Sequence, residues 1–235
     1  MRKLIYMAMI GLFSMLHFTG CDDTEDLLDR FISQGPIIYA AKVDSFFCQS
    51  GIYRVKVNVY PSYDVNRDYC MLRWNITSEV QDSVKLIYNE ESYDPVLKCY
   101  STVIDLSEDE IQGNLEIRAQ NYDTSGNKSL LTTNGAYIYG SVYISTLSND
   151  FIVVAADGQS LTIDRKMGSI GNYISYEQAD GSFTEEEFVT ENTLQLVNAK
   201  PGGIVKSNTL YHMKDNDIDD LRTTYYLETV IPAFE

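Results

Sequence analysis

The feature that most constrains this chain is a side-chain period of two. Ile52-Tyr53-Arg54-Val55-Lys56-Val57-Asn58-Val59-Tyr60 alternates apolar with polar residues. Successive side chains point to opposite faces only in an extended strand, so the segment predicts a strand with one face buried. Further short runs, rich in β-branched and aromatic residues, lie at 37–43, 69–74, 83–88, 98–106, 115–121 and 136–139. Turn residues separate them. Seven such segments in about a hundred residues predict an all-β fold of the sandwich type. The 18 tyrosines and 9 phenylalanines suit half-buried, pleated surfaces.

A second series of short strands is expected at 151–155, 160–163, 173–177, 193–197, 209–211 and 223–229, with a boundary near Gly140-Ser141. Asp157-Gly158 and Asp180-Gly181 are hairpin turns by composition. The expected organisation is therefore two tandem β-sandwich domains, over residues 36–140 and 141–235.

The first residues read as an address. Arg2 and Lys3 form a cationic start, Leu4 to Leu16 an apolar stretch, and Phe18-Thr19-Gly20-Cys21 places small residues before a cysteine, as in a lipoprotein signal. The stretch falls short of the ~20 residues that a spanning helix needs. Residues 1–20 are thus expected to be removed, leaving Cys21 acylated and the protein held on a membrane by its lipid. Residues 21–35 form an acidic tether. Leu27, Leu28, Phe31 and Ile32 are at helical spacing there, and a short helix and a flexible stalk fit equally. Asp22-Asp23-Thr24-Glu25-Asp26 resembles the surface-export signal of Bacteroidetes lipoproteins, which implies the outer face of the outer membrane.

Charge and composition exclude several functions. The chain has 18 basic and 34 acidic residues, and loss of the signal removes Arg2 and Lys3. No basic cluster is available to neutralise phosphates, so nucleic acid is not an expected partner. Acylation of Cys21 leaves Cys48, Cys70 and Cys99, an odd number that cannot form a closed disulfide framework. His17 leaves with the signal, so His212 is the one imidazole of the mature chain. A Ser-His-Asp site would have to use it, with Ser207 merely near in sequence, and no Gly-x-Ser-x-Gly elbow exists. No catalytic residue, cofactor or metal centre is predicted. Asp215-Asn216-Asp217-Ile218-Asp219-Asp220 has the alternating oxygens of a calcium loop but lacks the glycine and glutamate such a loop requires, and reads as a charged surface turn. Acidic residues are so frequent that proximity in sequence cannot single out a glycosidase pair.

Aromatic residues are the better candidates for binding, since a ring face stacks on the apolar face of a sugar while neighbouring amides and charges bond its hydroxyls. Tyr60, Tyr63 and Tyr69 flank the turn-like 61–68 segment, and Tyr137, Tyr139 and Tyr143 bracket the domain boundary. These six are the predicted ligand-binding residues. Tyr225-Tyr226 is expected to put one ring on each face of a strand, and Trp74, the only tryptophan, belongs to the core.

The segments Gly35-Pro36-Ile37-Ile38-Tyr39-Ala40-Ala41-Lys42-Val43-Asp44-Ser45, Arg54-Val55-Lys56-Val57 and Arg73-Trp74-Asn75 resemble an uncharacterised, DUF4998-like family of Bacteroidetes surface lipoproteins. Glu116 to Ser129, with its Gly126-Asn127 turn, is similar to the late hairpin of fibronectin type III domains. Asp82-Ser83-Val84 resembles a short Bacteroidetes O-glycosylation signal. The resemblance implies a first domain of the fibronectin type III or immunoglobulin kind. By association it also implies a non-catalytic accessory or glycan-binding role beside an outer-membrane glycan-uptake system, whose partners would be a polysaccharide or the uptake complex. A structural or adhesive spacer that binds a protein partner is the alternative, with a cryptic glycoside hydrolase behind both.

Overall fold

The computed structural model describes residues 39–62 and 67–233. Cys21, the signal at 1–20, the tether at 21–35 and Tyr63 lie outside the described residues. The first eight strands form two facing sheets. One contains β1 (Val43–Ser50), β2 (Arg54–Pro61), β6 (Cys99–Asp105) and β5 (Tyr93–Asp94), paired in that order. The other contains β4 (Gln81–Ile87), β3 (Tyr69–Asn75), β7 (Gly113–Tyr122) and β8 (Thr132–Ile138). Every pairing is antiparallel. This is the A-B-E-D against C′-C-F-G arrangement of a fibronectin type III-like sandwich.

The alternation in β2 explains its position. Val55, Val57 and Val59 are fully buried against Leu72 and Trp74 of β3 and Leu115, Ile117 and Ala119 of β7. Each such side chain contributes on the order of 1.5–3 kcal/mol through burial. The strand expected at 37–43 is displaced: residues 39–42 are not strand, and β1 begins at Val43. A register shift between Val43 and Ser45 lets Val43 and Phe46, three apart, both face the core, which hides this strand from a search for strict alternation. The turn after β7 is made by Asp123. Its carboxylate accepts from the Ser125 amide (2.9 Å), the Asn127 amide (2.8 Å) and Asn127 Nδ2 (2.8 Å), while Gly126 takes a positive φ of 82°. These bonds to the ionised form hold the Asp123 carboxyl below its ordinary range.

The second sandwich packs a three-stranded sheet against a larger one. The small sheet is ordered β13 (Thr193–Gln195), β10 (Ser160–Asp164), β9 (Phe151–Val154). The larger is ordered β12 (Glu187–Val189), β11 (Ser169–Tyr176), β14 (Ile204–Tyr211), β15 (Leu221–Arg222), with β16 (Leu227–Val230) pairing the first half of β14. Ile152, Leu161, Ile163, Ile174, Val205 and Ile231 form its core.

One end of this sandwich is polar inside. Asp150, fully buried, accepts from the Lys166 amide (2.8 Å) and Ser169 Oγ (2.6 Å), with Arg165 Nη1 at 3.8 Å. Arg165 also donates to Asn172 Oδ1 (2.9 Å), and Asn149 Oδ1 accepts from the Thr209 amide (2.9 Å) and the Thr223 hydroxyl (2.5 Å). The strand expected over 223–229 breaks here. Asn208 Nδ2 donates to the carbonyls of Thr223 (3.0 Å) and Tyr225 (2.8 Å), so side chains rather than a ladder satisfy this backbone. Tyr225 and Tyr226 therefore sit on a bend, both 48% exposed, instead of on opposite faces of a strand.

Between the sandwiches runs a short helix, α1 (Ser141–Thr146), which the sequence reading did not anticipate. From Ala40 onward the chain is one compact unit. A third apolar cluster joins its two halves: Tyr139, Tyr211 and Leu221 are buried, with Ile52, Tyr137, Tyr143, Ile144, Leu147 and Met213 around them. The acidic segment 215–220 locks this joint rather than lying free as a surface turn. Asp219 makes a bidentate pair with Arg54 and accepts from the Ile52 amide (2.8 Å). Asp217 accepts from the Tyr139 hydroxyl (2.8 Å), and the Ile218 amide donates to the Ser50 carbonyl (2.8 Å). Gly51 is needed for this approach, because a Cβ there would stand 2.6 Å from Asp219 Oδ2 and 2.8 Å from Ile218 Cγ1.

Candidate binding site

The two groups of predicted tyrosines have different fates. Tyr60 and Tyr69 lie on different sheets of the first sandwich. Tyr60 stacks on Phe47 at 6.1 Å. Tyr69 lies between the strands that flank it: the Tyr122 ring of β7 is stacked at 4.7 Å and 8°, and Lys85 Nζ of β4 is 3.7 Å from its centroid. Tyr60 and Tyr69 do not make a common platform, and the faces of the Tyr69 ring are already engaged.

Tyr137, Tyr139 and Tyr143 do converge. Their centroids are 5.0–5.7 Å apart in tilted and edge-to-face contacts, the geometry that the ring quadrupole favours. Within this group the roles divide. Tyr139 is 3% exposed, and burial together with the Asp217 carboxylate pushes its phenol well above the ordinary value. It is part of the joint. Tyr143, on α1, packs against both rings. Of the three, Tyr137 lines an open hollow of about 530 Å³, together with Asn114, Glu116, Asn134 and Lys214. That volume falls within the range of small-ligand sites.

Register builds this hollow. In the β7–β8 ladder Asn114 is opposite Tyr137, Glu116 opposite Gly135, and Ile117 opposite Asn134. Only glycine fits at Gly135, since the β7 backbone comes so close that a Cβ there would stand 2.3 Å from the Leu115 carbonyl oxygen. Lys214 arrives from the second sandwich, at the head of the acidic segment that locks the joint. The first sandwich thus supplies the ring, the Asn114 amide and a carboxylate, and the second supplies the ammonium; the Asn134 amide is engaged within the sandwich, donating to the Phe46 carbonyl (2.6 Å) and accepting from the Gly135 amide (2.8 Å). Asn114, Glu116, Asn134 and Lys214 were missed by the sequence reading. Their polarity was visible, but their convergence depends on strand register and on the joint.

Such a constellation can hold a polyhydroxylated ligand, with the ring against C–H groups and the Asn114 amide and the charges on hydroxyls. A pair of carboxyl groups facing across a cleft, as glycoside hydrolysis requires, is not what lines it, because Glu116 is its one carboxylate. His212 is engaged elsewhere, its Nδ1 2.8 Å from Asp220 Oδ1, and that carboxylate raises the imidazole above its ordinary value. Cys48 and Cys70 are unpaired thiols that burial pushes up to about 12, and Cys99 is unpaired and likewise raised. Trp74 lies in the core.

The chain is similar in structure to the FN1–FN3 domains of chicken CNTN1, with 12% identity over 82% of this chain and a TM-score of 0.38. It spans 66% of the length of that segment. A two-domain fibronectin type III segment of chicken tenascin matches with 11% identity, over 80% of this chain and 99% of the segment, at a TM-score of 0.34. No curated protein matches. The model of the DUF4998 family, described as a domain of unknown function, matches residues 21–221, which is most of the chain; the protein belongs to that family.

Proposed function

We propose that this protein is a non-catalytic, lipid-anchored component of the outer-membrane surface, acylated at Cys21, that binds a glycan as an accessory to an outer-membrane uptake system. The observation that carries the reading is the hollow that Tyr137 lines together with Asn114, Glu116 and Lys214. The acidic composition supports an uncharged rather than a polyanionic polymer as ligand. A test is affinity electrophoresis and calorimetry of the full chain against a panel of soluble polysaccharides. Tyr137→Ala is expected to weaken binding at least tenfold, whereas Tyr69→Ala, whose ring is engaged within the sheet, leaves it unchanged. Unaltered binding by Tyr137→Ala would remove the hollow from the account.

A spacer that presents a protein-binding surface is the second reading. It is favoured by the bonds of the 215–220 segment to the first sandwich, which stiffen the two halves against one another. Absence of binding to every polysaccharide would select it.

A further inference from the structure

The outer face of the larger sheet of the second sandwich carries a second constellation, remote in sequence from Tyr137. On β11, Tyr173 lies opposite Phe188 of β12 on one side and Asn208 of β14 on the other. The Tyr173 and Phe188 rings are 4.9 Å apart. The far end of the Phe188 ring covers Gly171: an ideal Cβ there would be 2.3 Å from Phe188 Cζ. Gly171 thereby lets the ring lie over the strand, as aromatic residues do across sheet glycines. The ring nevertheless stays 42% exposed.

Next to it the Arg222 guanidinium is stacked over Tyr173, 4.1 Å from the centroid. Three groups hold it there: Glu186 Oε1 at 2.5 Å, Asn208 Oδ1 at 3.1 Å and the Tyr226 hydroxyl at 3.4 Å. Tyr226 in turn donates to Glu186 Oε1 at 3.0 Å. The Arg222 side chain is still 38% exposed, and Tyr226 is 48% exposed. Planar groups oriented in advance by their neighbours lose little freedom when a ligand lands on them.

We propose that Phe188, Arg222, Glu186 and Tyr226 form a second carbohydrate subsite, which takes a neutral pyranose of a polysaccharide. Phe188 offers its exposed ring to the apolar face of the sugar. Arg222 donates to ring hydroxyls, and Glu186, whose bonds to Arg222 and Tyr226 both use Oε1, accepts from one through its other oxygen. Charge selects the neutral sugar. Arg222 is matched by Glu186, and Lys206, two residues from Asn208 on the same face of β14, is matched by Glu228 (3.8 Å), so both cations are already paired and neither is free to draw a uronate. This subsite goes beyond the Tyr137 hollow and does not depend on it.

The test is affinity electrophoresis of the full chain through gels containing soluble glucan, mannan or xylan, with polygalacturonate as the anionic control. Phe188→Ala and Tyr226→Ala are expected each to weaken retardation by a neutral polymer at least fivefold in apparent Kd, with no retardation by polygalacturonate. Arg222→Lys, which keeps the charge but not the planar stack, should fall with them. Thermal unfolding of each variant within a few degrees of the parent keeps the comparison on binding. For a variant that unfolds early, Tyr226→Phe, which removes only the hydroxyl, takes its place. Full retardation of the Phe188→Ala and Tyr226→Ala chains overturns the subsite. If that retardation is lost only with Tyr137→Ala, the glycan reading stands and this subsite falls. A parent chain retarded by no neutral polymer, or by polygalacturonate alone, overturns it as well.

Discussion

At the scale of single residues, two buried polar groups set the sharpest expectations. The Tyr139 hydroxyl donates to Asp217, whose other carboxylate oxygen is buried without a hydrogen-bond partner. Tyr139→Phe keeps the ring contacts with Tyr137 and Tyr143 but strips that carboxylate of its donor. A loss of about 1–3 kcal/mol is expected, read as a lower urea midpoint. Asp150→Ala removes the acceptor for the Lys166 amide and the Ser169 hydroxyl and leaves Arg165 beside a buried void. It should cost on the order of 3 kcal/mol, because an uncompensated charge is left inside. A substitution at an exposed acid such as Glu108 should change the midpoint by less than about 0.5 kcal/mol. Of these residues, only the aromatic character of Tyr139 was legible beforehand. Nothing in the sequence marks Asp150 among 34 acids, since its partners come from the start of β11 and from the turn that precedes it.

At the scale of elements, the acidic segment 215–220 is the instructive case. Its composition suggested a charged turn, yet its carboxylates hold the two sandwiches together. The Arg54 pair and the Ile52 amide lower the Asp219 carboxyl from its ordinary value of 3.8, so its contribution is complete above that value and is lost as pH falls through the lowered one. His212 has the opposite sense. Asp220 raises it above 6.5, so its contribution is complete below 6.5 and is lost as pH rises through the raised value. The joint should be firmest in the mildly acidic window between, and unfolding midpoints measured across pH should fall on both sides. Asp219→Asn should shrink the acid arm, to which Asp94, Asp105, Asp123 and Asp180, also held below their ordinary value, contribute as well, and His212→Gln should flatten the other. Both groups are partly exposed, so salt should shrink the effect. Strand β1 shows the complementary lesson: its bulge breaks the period of two, and only pairing along β2 locates it.

At the scale of the whole molecule, the question is whether the two sandwiches unfold together. Trp74, the one tryptophan, is buried in the first core and reports that half alone by fluorescence. Far-UV circular dichroism reports both halves. With the Tyr139–Tyr211–Leu221 cluster and the 215–220 segment intact, the two urea transitions should coincide. Gly51→Ala forces a methyl group into Asp219 and Ile218, at an expected cost of about 1–3 kcal/mol, and should pull the transitions apart. Coincident curves for that variant would mean that the joint does not set cooperativity.

The sequence by itself determined the fold class, because side-chain alternation, β-branched and aromatic content and Asp-Gly turns are local properties that force a chain into short paired strands. It also determined the inward fate of Val55, Val57, Val59 and Trp74, which follows from burial of one face. Tertiary structure alone decided the fates of the tyrosines. Tyr137 is in β8 and Tyr139 just past its end, two residues apart in an alternating stretch, yet one lines a hollow and the other is sealed beneath Asp217. That difference arises from where the second sandwich docks, a long-range contact between residues some eighty positions apart. Local periodicity carries no information about such a contact.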